Sequence, residues 1–296
     1  MQSTRITVAD PTRPPFSRRI RIGWPRVGKN PVLLLCIVVI GLVVICAAAP
    51  GLLAPYAPEK LAAGDLLDGP SAAHPLGTDE FGRDILSRII HGARIELIVS
   101  VAGVALAVAL GVPLGLFAGY RGGLIDSVIM RVQDAMLAFP GILFAILIVA
   151  GLGSSARSIV LTVGIVFFPR FARLVRGSVL ALKEQDFVLA SLAGGATERR
   201  IMTRHILPNC LAPILVQITL AMAVAILMEA GLSYLGLGIQ PPTATWGTML
   251  QRAQTYPAQA PWYVLAPGFC IFLLVLSLNV VGDYLRDSLD PRLRGV

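Results

Sequence analysis

Apolar residues in this chain come in long runs rather than in helical or strand stripes. The runs are Val32 to Leu53, Leu97 to Ala118, Val128 to Ala150, Ile159 to Val175 and Leu211 to Leu237, and then Pro267 to Val281, which Trp262 to Ala266 lengthens. Each is near the roughly 20 residues that carry a helix across about 30 Å of hydrocarbon. A bilayer offers no water to the backbone, so spanning runs of this kind must close their hydrogen bonds as helices. The pattern predicts an all-α integral membrane protein with six transmembrane helices.

The polar stretches between the runs differ in character. Residues 1–30 are basic and proline-containing and predict a tail whose end rests on anionic headgroups. The first run, with its basic approach and Ala47-Ala48-Ala49, resembles a secretory signal, but its core exceeds the usual length of about 7–15 residues. An uncleaved span is expected. Pro55 to Pro75 reads as a loop. His74 to Leu97 reads as a helix with Thr78 as N-cap, Asp79 and Glu80 in its first turn, and Phe81, Ile85 and Ile89 on one face. A membrane-surface helix and a solvated linker helix both fit that face. The glycine-, proline- and aromatic-rich stretch around Trp246, Tyr256, Trp262 and Tyr263 predicts a structured outer loop with interfacial aromatics.

Composition agrees with the runs. The 296 residues are 55% apolar and 14% charged, and the mean hydropathy is +0.75. A net charge of +8 alone would admit nucleic acid as a partner. Its distribution points to a bilayer instead. With six spans and the N-terminus inside, 19 of the 25 Lys and Arg fall on inner segments, and only Lys60, Arg83, Arg88, Arg94, Arg157 and Arg252 fall outside. The positive-inside rule therefore places both termini, and the polar stretch Asp186 to Asn209, in the cytoplasm.

Candidate chemistry is sparse. The sequence has no GxxxxGK[ST] phosphate loop, no HExxH and no GxSxG, so neither a catalytic residue nor a metal site is assigned. Cys36, Cys46, Cys210 and Cys270 are isolated and read as small buried hydrophobes, and His74, His91 and His205 are dispersed. Two acids are placed inside spans, Asp134 in the third and Glu229 in the fifth. Each fits either a polar pathway lining or a helix-to-helix hydrogen bond. Gly103, Ala107, Gly111 and Gly115 recur every four residues and predict close helix packing. In the inner loop, Lys183 to Leu192 predicts a short helix ended by Gly194-Gly195. Thr197 caps a second helix, Glu198 to Leu207, and Pro208 stops it. Such a loop fits a docking element or a solvated amphipathic segment.

The segment DFVLASLAGGATERRIMTRHILPN carries a resemblance that chooses between them. It is similar to the cytoplasmic EAA loop of ABC importer permeases: EAA, three residues, Gly, nine residues, I-x-L-P. Ala190, Gly195, Leu207 and Pro208 match, whereas Leu189 stands for the usual Glu, Ser191 for the second Ala and His205 for the Ile. HPLGTDEFGRDILSR, LAFPGILFAI, FARLVRGSVL, EAGLSYLGLGIQPPTATWGTML and NVVGDYLRDSLDPRLRG extend the resemblance over about residues 30–294, to the C-type permease of dipeptide/oligopeptide/nickel importers. The resemblance implies a non-catalytic permease subunit of the bacterial inner membrane that forms half of a translocation path for peptides. It implies a B-type permease partner and an extracytoplasmic peptide-binding protein. Two ABC ATPases would hold the ATP and Mg²⁺, leaving this chain without a cofactor. It also assigns ATPase coupling to Val188, Leu189, Ala190, Ser191, Leu192, Gly195, Leu207 and Pro208. The implied organisation is a tail at 1–30, a first helix and outer loop at 31–73, and a five-helix core at 74–296 with its coupling loop at 183–209. A self-contained secondary transporter or channel is the alternative. It calls for an internal repeat and ion-coupling residues, and neither is evident.

Overall fold

The computed structural model describes residues 30–289; the basic tail and the chain after residue 289 lie outside them. Among the described residues every regular element is a helix, and Thr78 and Asp84 form one isolated antiparallel bridge. Helix α1, Pro31–Ala48, starts with Asn30 Oδ1 accepting from the amides of Val32 and Leu33. It buries only Leu33 and Cys36, so most of its surface is left for lipid. The expected run to Leu53 breaks at Ala49, and a single turn, α2, Pro50–Leu53, follows.

Helix α3, Ile85–Arg121, does not begin at Thr78 as expected. Asp84 is its N-cap and accepts from Ser87 N. The earlier start is blocked locally: Thr78 Oγ1 donates to Asp65 O, Asp79 Oδ1 accepts from the amides of Phe81 and Arg83, and Gly82 has φ +67°. Asp79 and Glu80 therefore remain in the loop. Ile85 and Ile89 are buried among other side chains, so neither a membrane-surface nor a solvated linker helix is found, and this stretch forms the packed first turns of a 37-residue helix.

The expected third span is bent. Helices α4, Gly123–Leu137, and α5, Gly141–Leu152, meet at 91°. Pro140 immediately precedes α5 and has no amide to continue the hydrogen-bond ladder across the corner. Helix α6, Ala156–Leu182, then packs along α3. The predicted small-residue stripe makes this possible: a Cβ on Gly103 would meet Val163, one on Gly111 would meet Phe168 O and Phe171, and Gly115 lies against Ala172. Among the described residues five helices are long and apolar enough to cross a membrane, and there are six if the bent pair is one span.

After the inner loop come α9, Leu207–Tyr234, the outer helix α10, Trp246–Ala253, and α11, Pro261–Leu289. The inner loop itself holds α7, Asp186–Ala193, and the single turn α8, Glu198–Arg200. Thr245 and Thr248 form a reciprocal capping box on α10. The aromatics expected at an interface divide. Trp246 and Tyr263 are buried at 1% and 0% exposure, while Tyr256 and Trp262 are half-buried. Both buried rings have polar partners, since Trp246 Nε1 donates to Ile89 O at 3.0 Å and Tyr263 Oη donates to Glu80 Oε2 at 2.7 Å.

Candidate functional site

The inner loop is built from its anchors outward. In α7, Val188 is 4% exposed and packs with Leu116, Val175, Val179, Ile201 and Ile206. Leu189 and Leu192 are 50% and 56% exposed. One side of this short helix is therefore held by α3, α6 and the following turn, while the other presents leucines to whatever lies beyond. Ala190 is exposed and Ser191 half-buried, with Ser191 Oγ donating to Phe187 O at 2.8 Å. Gly195 ends the unit with φ +76°, a conformation that costs other residues strain. No atom lies within 4 Å of where its Cβ would stand, so the requirement there is conformational and not spatial.

Thr197 caps the next turn as expected, with its Oγ1 accepting from Arg200 N at 3.4 Å. Pro208 does not stop the helix that follows. Residues Ile201–Ile206 widen into a π turn, Leu207 N bonds back to Met202 O, and the chain continues through Pro208 into α9. A wide turn relieves the crowding that a proline ring imposes on the turn before it, and Pro208 sits in the first turn of α9, where a missing amide costs least. Leu207 is half-buried against the same core as Val188, and Pro208 is exposed. Arg121 at the end of α3 reaches Glu198 at 3.0 Å, although both side chains are half exposed and such a pair contributes little stability. Tyr120, Lys183, Glu184, Val188, Leu189 and Glu198 line much of a cleft of about 530 Å³ beside α7.

The residues assigned to coupling thus separate in role. Leu189, Ala190, Leu192 and Pro208 lie at the surface, Val188 faces inward as the anchor, and Gly195 sets the turn. Val188 is buried because its position, one residue before Leu189, falls on the face that meets Val175 and Ile201.

The two acids differ as well. Asp134 is an exposed residue whose side chain pairs with Arg173 at 2.5 Å, linking α4 to α6. Arg176 and Asp126 add a second tie between the same helices at 2.5 Å. Glu229 is fully buried and accepts from Ser233 Oγ at 2.7 Å. It approaches Glu96, an equally buried acid whose Oε1 accepts from Trp246 N at 3.2 Å. Glu96 does not stand out in the sequence because the apolar run begins one residue later. The signal available was its place four residues before Ser100 on a helix that had already started. Together these groups fix the outer helix α10 to α3 and α9.

Known proteins place this arrangement. A family model described as the binding-protein-dependent transport system inner membrane component matches residues 111–295. This chain belongs to that family. It is 45% identical over 274 residues to the dipeptide transport system permease protein DppC of Alkalihalophilus pseudofirmus, covering 93% of this chain and 90% of that one. It is 45% identical over 243 residues to the glutathione transport system permease protein GsiD of Pectobacterium atrosepticum, covering 82% and 81%. The fold resembles a chain of the inward-facing methionine ABC transporter MetNI at a TM-score of 0.57 and 16% identity, over 70% of this chain and 98% of that one. The protein is a permease subunit, a multi-pass component of the bacterial inner membrane, as the hydrophobic runs and the resemblance led us to expect.

Proposed function

We propose that this permease subunit imports peptides and is driven by ATPase subunits that dock on residues 186–209. The observation that carries the docking site is the two-sided helix α7. Val188 ties it into the membrane core while Leu189 and Leu192 stand exposed in a loop otherwise rich in polar residues. Exposed leucines on a rigidly anchored element suit insertion into an apolar groove of another chain. The distribution of Lys and Arg supports a cytoplasmic position for this loop.

A B-type permease would complete the translocation path, and an extracytoplasmic binding protein would deliver the peptide. Peptides are favoured as substrate because relatives from separate organisms carry dipeptide, di/tripeptide and glutathione transport names. The ATP and Mg²⁺ would be held by the ATPases. Closure of the ATPases on ATP would displace α7, and the shared core of α3, α6 and the π turn would pass that displacement to the spans. The permease halves would then rock between inward- and outward-facing states.

Replacing Gly195 tests this reading. The Cβ of Gly195→Asp meets no atom within 4 Å, and Asp tolerates positive φ better than most side chains. Membrane insertion should therefore be retained with at most a small loss of thermal stability from the positive φ, while co-purification of the ATPases and ATP-dependent peptide uptake are lost. Survival of both functions would refute docking at this loop.

A further inference from the structure

The segment leading into α3 contains a cluster of titratable groups that the transport reading does not use. Its centre is His74, 5% exposed. The backbone there is fixed, since His74 N donates to Ser71 Oγ at 3.1 Å, and the amides of Ser71 and Gly77 donate to His74 O at 2.8 and 2.9 Å. The ring lies beside Tyr56 with 5.0 Å between centroids. A Cβ on Gly64 would stand 2.7 Å from Nε2, so the backbone of Gly64 closes directly on the ring.

Both ring nitrogens meet oxygens. Nδ1 is 3.0 Å from Asp84 Oδ1 and Nε2 is 3.2 Å from Ala63 O. A backbone carbonyl only accepts. The second Asp84 oxygen already accepts from Ser87 N at 2.8 Å and Ser87 Oγ at 2.7 Å, which is the pattern of an ionised N-cap carboxylate. A neutral imidazole has one N–H and satisfies one of these two acceptors; the imidazolium satisfies both.

We propose that His74 is a proton-dependent latch, whose doubly protonated ring ties the loop at Ala63 to the N-cap of α3 at Asp84. Loss of one ring proton opens one of the two ties and loosens the loop locally around Ala63, while Ala62 N to Phe81 O and Gly64 N to Gly82 O keep it attached. The charged groups around the ring are Asp84, in direct contact, and Lys60, whose ammonium lies 5.3 Å from the centroid of the Tyr56 ring. Next to these stands a cluster of ion pairs: Arg83 with Asp79 at 2.7 Å and Glu80 at 3.6 Å, and Arg88 with Asp79 at 3.5 Å. Within this cluster the His74 ring is the group whose proton count sets how many of the two facing acceptors are paired. Under the proposed topology the latch faces the extracytoplasmic side, but its chemistry does not depend on what the subunit transports.

The test is hydrogen–deuterium exchange of residues 55–84 in the assembled importer, at about pH 6 and about pH 8, corrected for intrinsic exchange. The latch predicts protection at the lower pH and exchange about tenfold faster at the higher, the scale of one lost charge-assisted hydrogen bond. In His74→Gln the corrected rates should match at the two pH values. Equal protection of the wild-type loop at both pH values overturns the proposal, as does a wild-type pH dependence in the variant. If His74→Gln does not assemble, ¹⁵N spectra of the wild-type histidine rings decide. Two N–H nitrogens on His74 at about pH 6 and one at about pH 8 support the latch, and a single neutral tautomer at both contradicts it.

Discussion

Gly111 has its Cβ position 2.5 Å from Phe168 O and 2.7 Å from Phe171 Cβ, and backbone cannot yield as a flexible side chain does. Gly111→Val should therefore push α3 off α6 at a cost of about 1–3 kcal/mol, read as a lowered midpoint in thermal unfolding of the detergent-purified protein. The same change at Gly41, which has nothing within 4 Å, should leave the midpoint nearly unmoved. The four-residue spacing of small side chains made this contact legible in the sequence, although not its partner helix. Burial of the acids was half legible. Glu229 stood out inside an apolar run, whereas Glu96 sat at the edge of one and only the three-dimensional meeting of α3, α9 and α10 discloses it. Glu229→Gln keeps an oxygen for Ser233 and a similar volume. Glu229→Ala leaves the hydroxyl unpaired and a cavity behind, and should be less stable than the Gln variant by about 1–3 kcal/mol in the same measurement.

At the scale of elements, hydrophobic runs foretold how many spans there are and roughly where they lie. Their ends and bends were set by local hydrogen bonding that hydropathy does not register. The start of α3 at Ile85 follows from Asp79 and Thr78 being engaged within the loop. The corner between α4 and α5 lies inside a run with no polar interruption larger than Arg131 and Gln133-Asp134. Pro208 looked like a stop because proline breaks a regular α-helix; the π turn before it removes the conflict. Pro208→Ala should accordingly change stability by less than about 1 kcal/mol, well under the roughly 3 kcal/mol tied to proline in a helix interior. In α7 the family's usual Glu is replaced by Leu189, which is half exposed and near the helix start, where an acid is electrostatically favoured. Leu189→Glu should fold as well as the parent. If docking rests on apolar fit, it should couple ATP hydrolysis to uptake no better. A large gain in the ratio of peptide transported to ATP hydrolysed would show that the missing acid limits coupling.

On the scale of the whole molecule, the inner loop and the spans form one mechanical path. Val188, Ile201 and Ile206 share a core with Leu116 of α3 and with Val175 and Val179 of α6, so a displacement of α7 has packed side chains to push against. The outer end is tied in its own way, through Glu96 and Trp246 and through Glu80 and Tyr263, and the apolar middle lies between the two. A photo-crosslinking residue at position 192 in the assembled importer reports whether α7 is the surface that an ATPase grips. The expected result is an adduct with an ATPase subunit whose yield changes between the nucleotide-free and ATP-bound states. Adducts to lipid or to the permease partner, with none to an ATPase in either state, would contradict it.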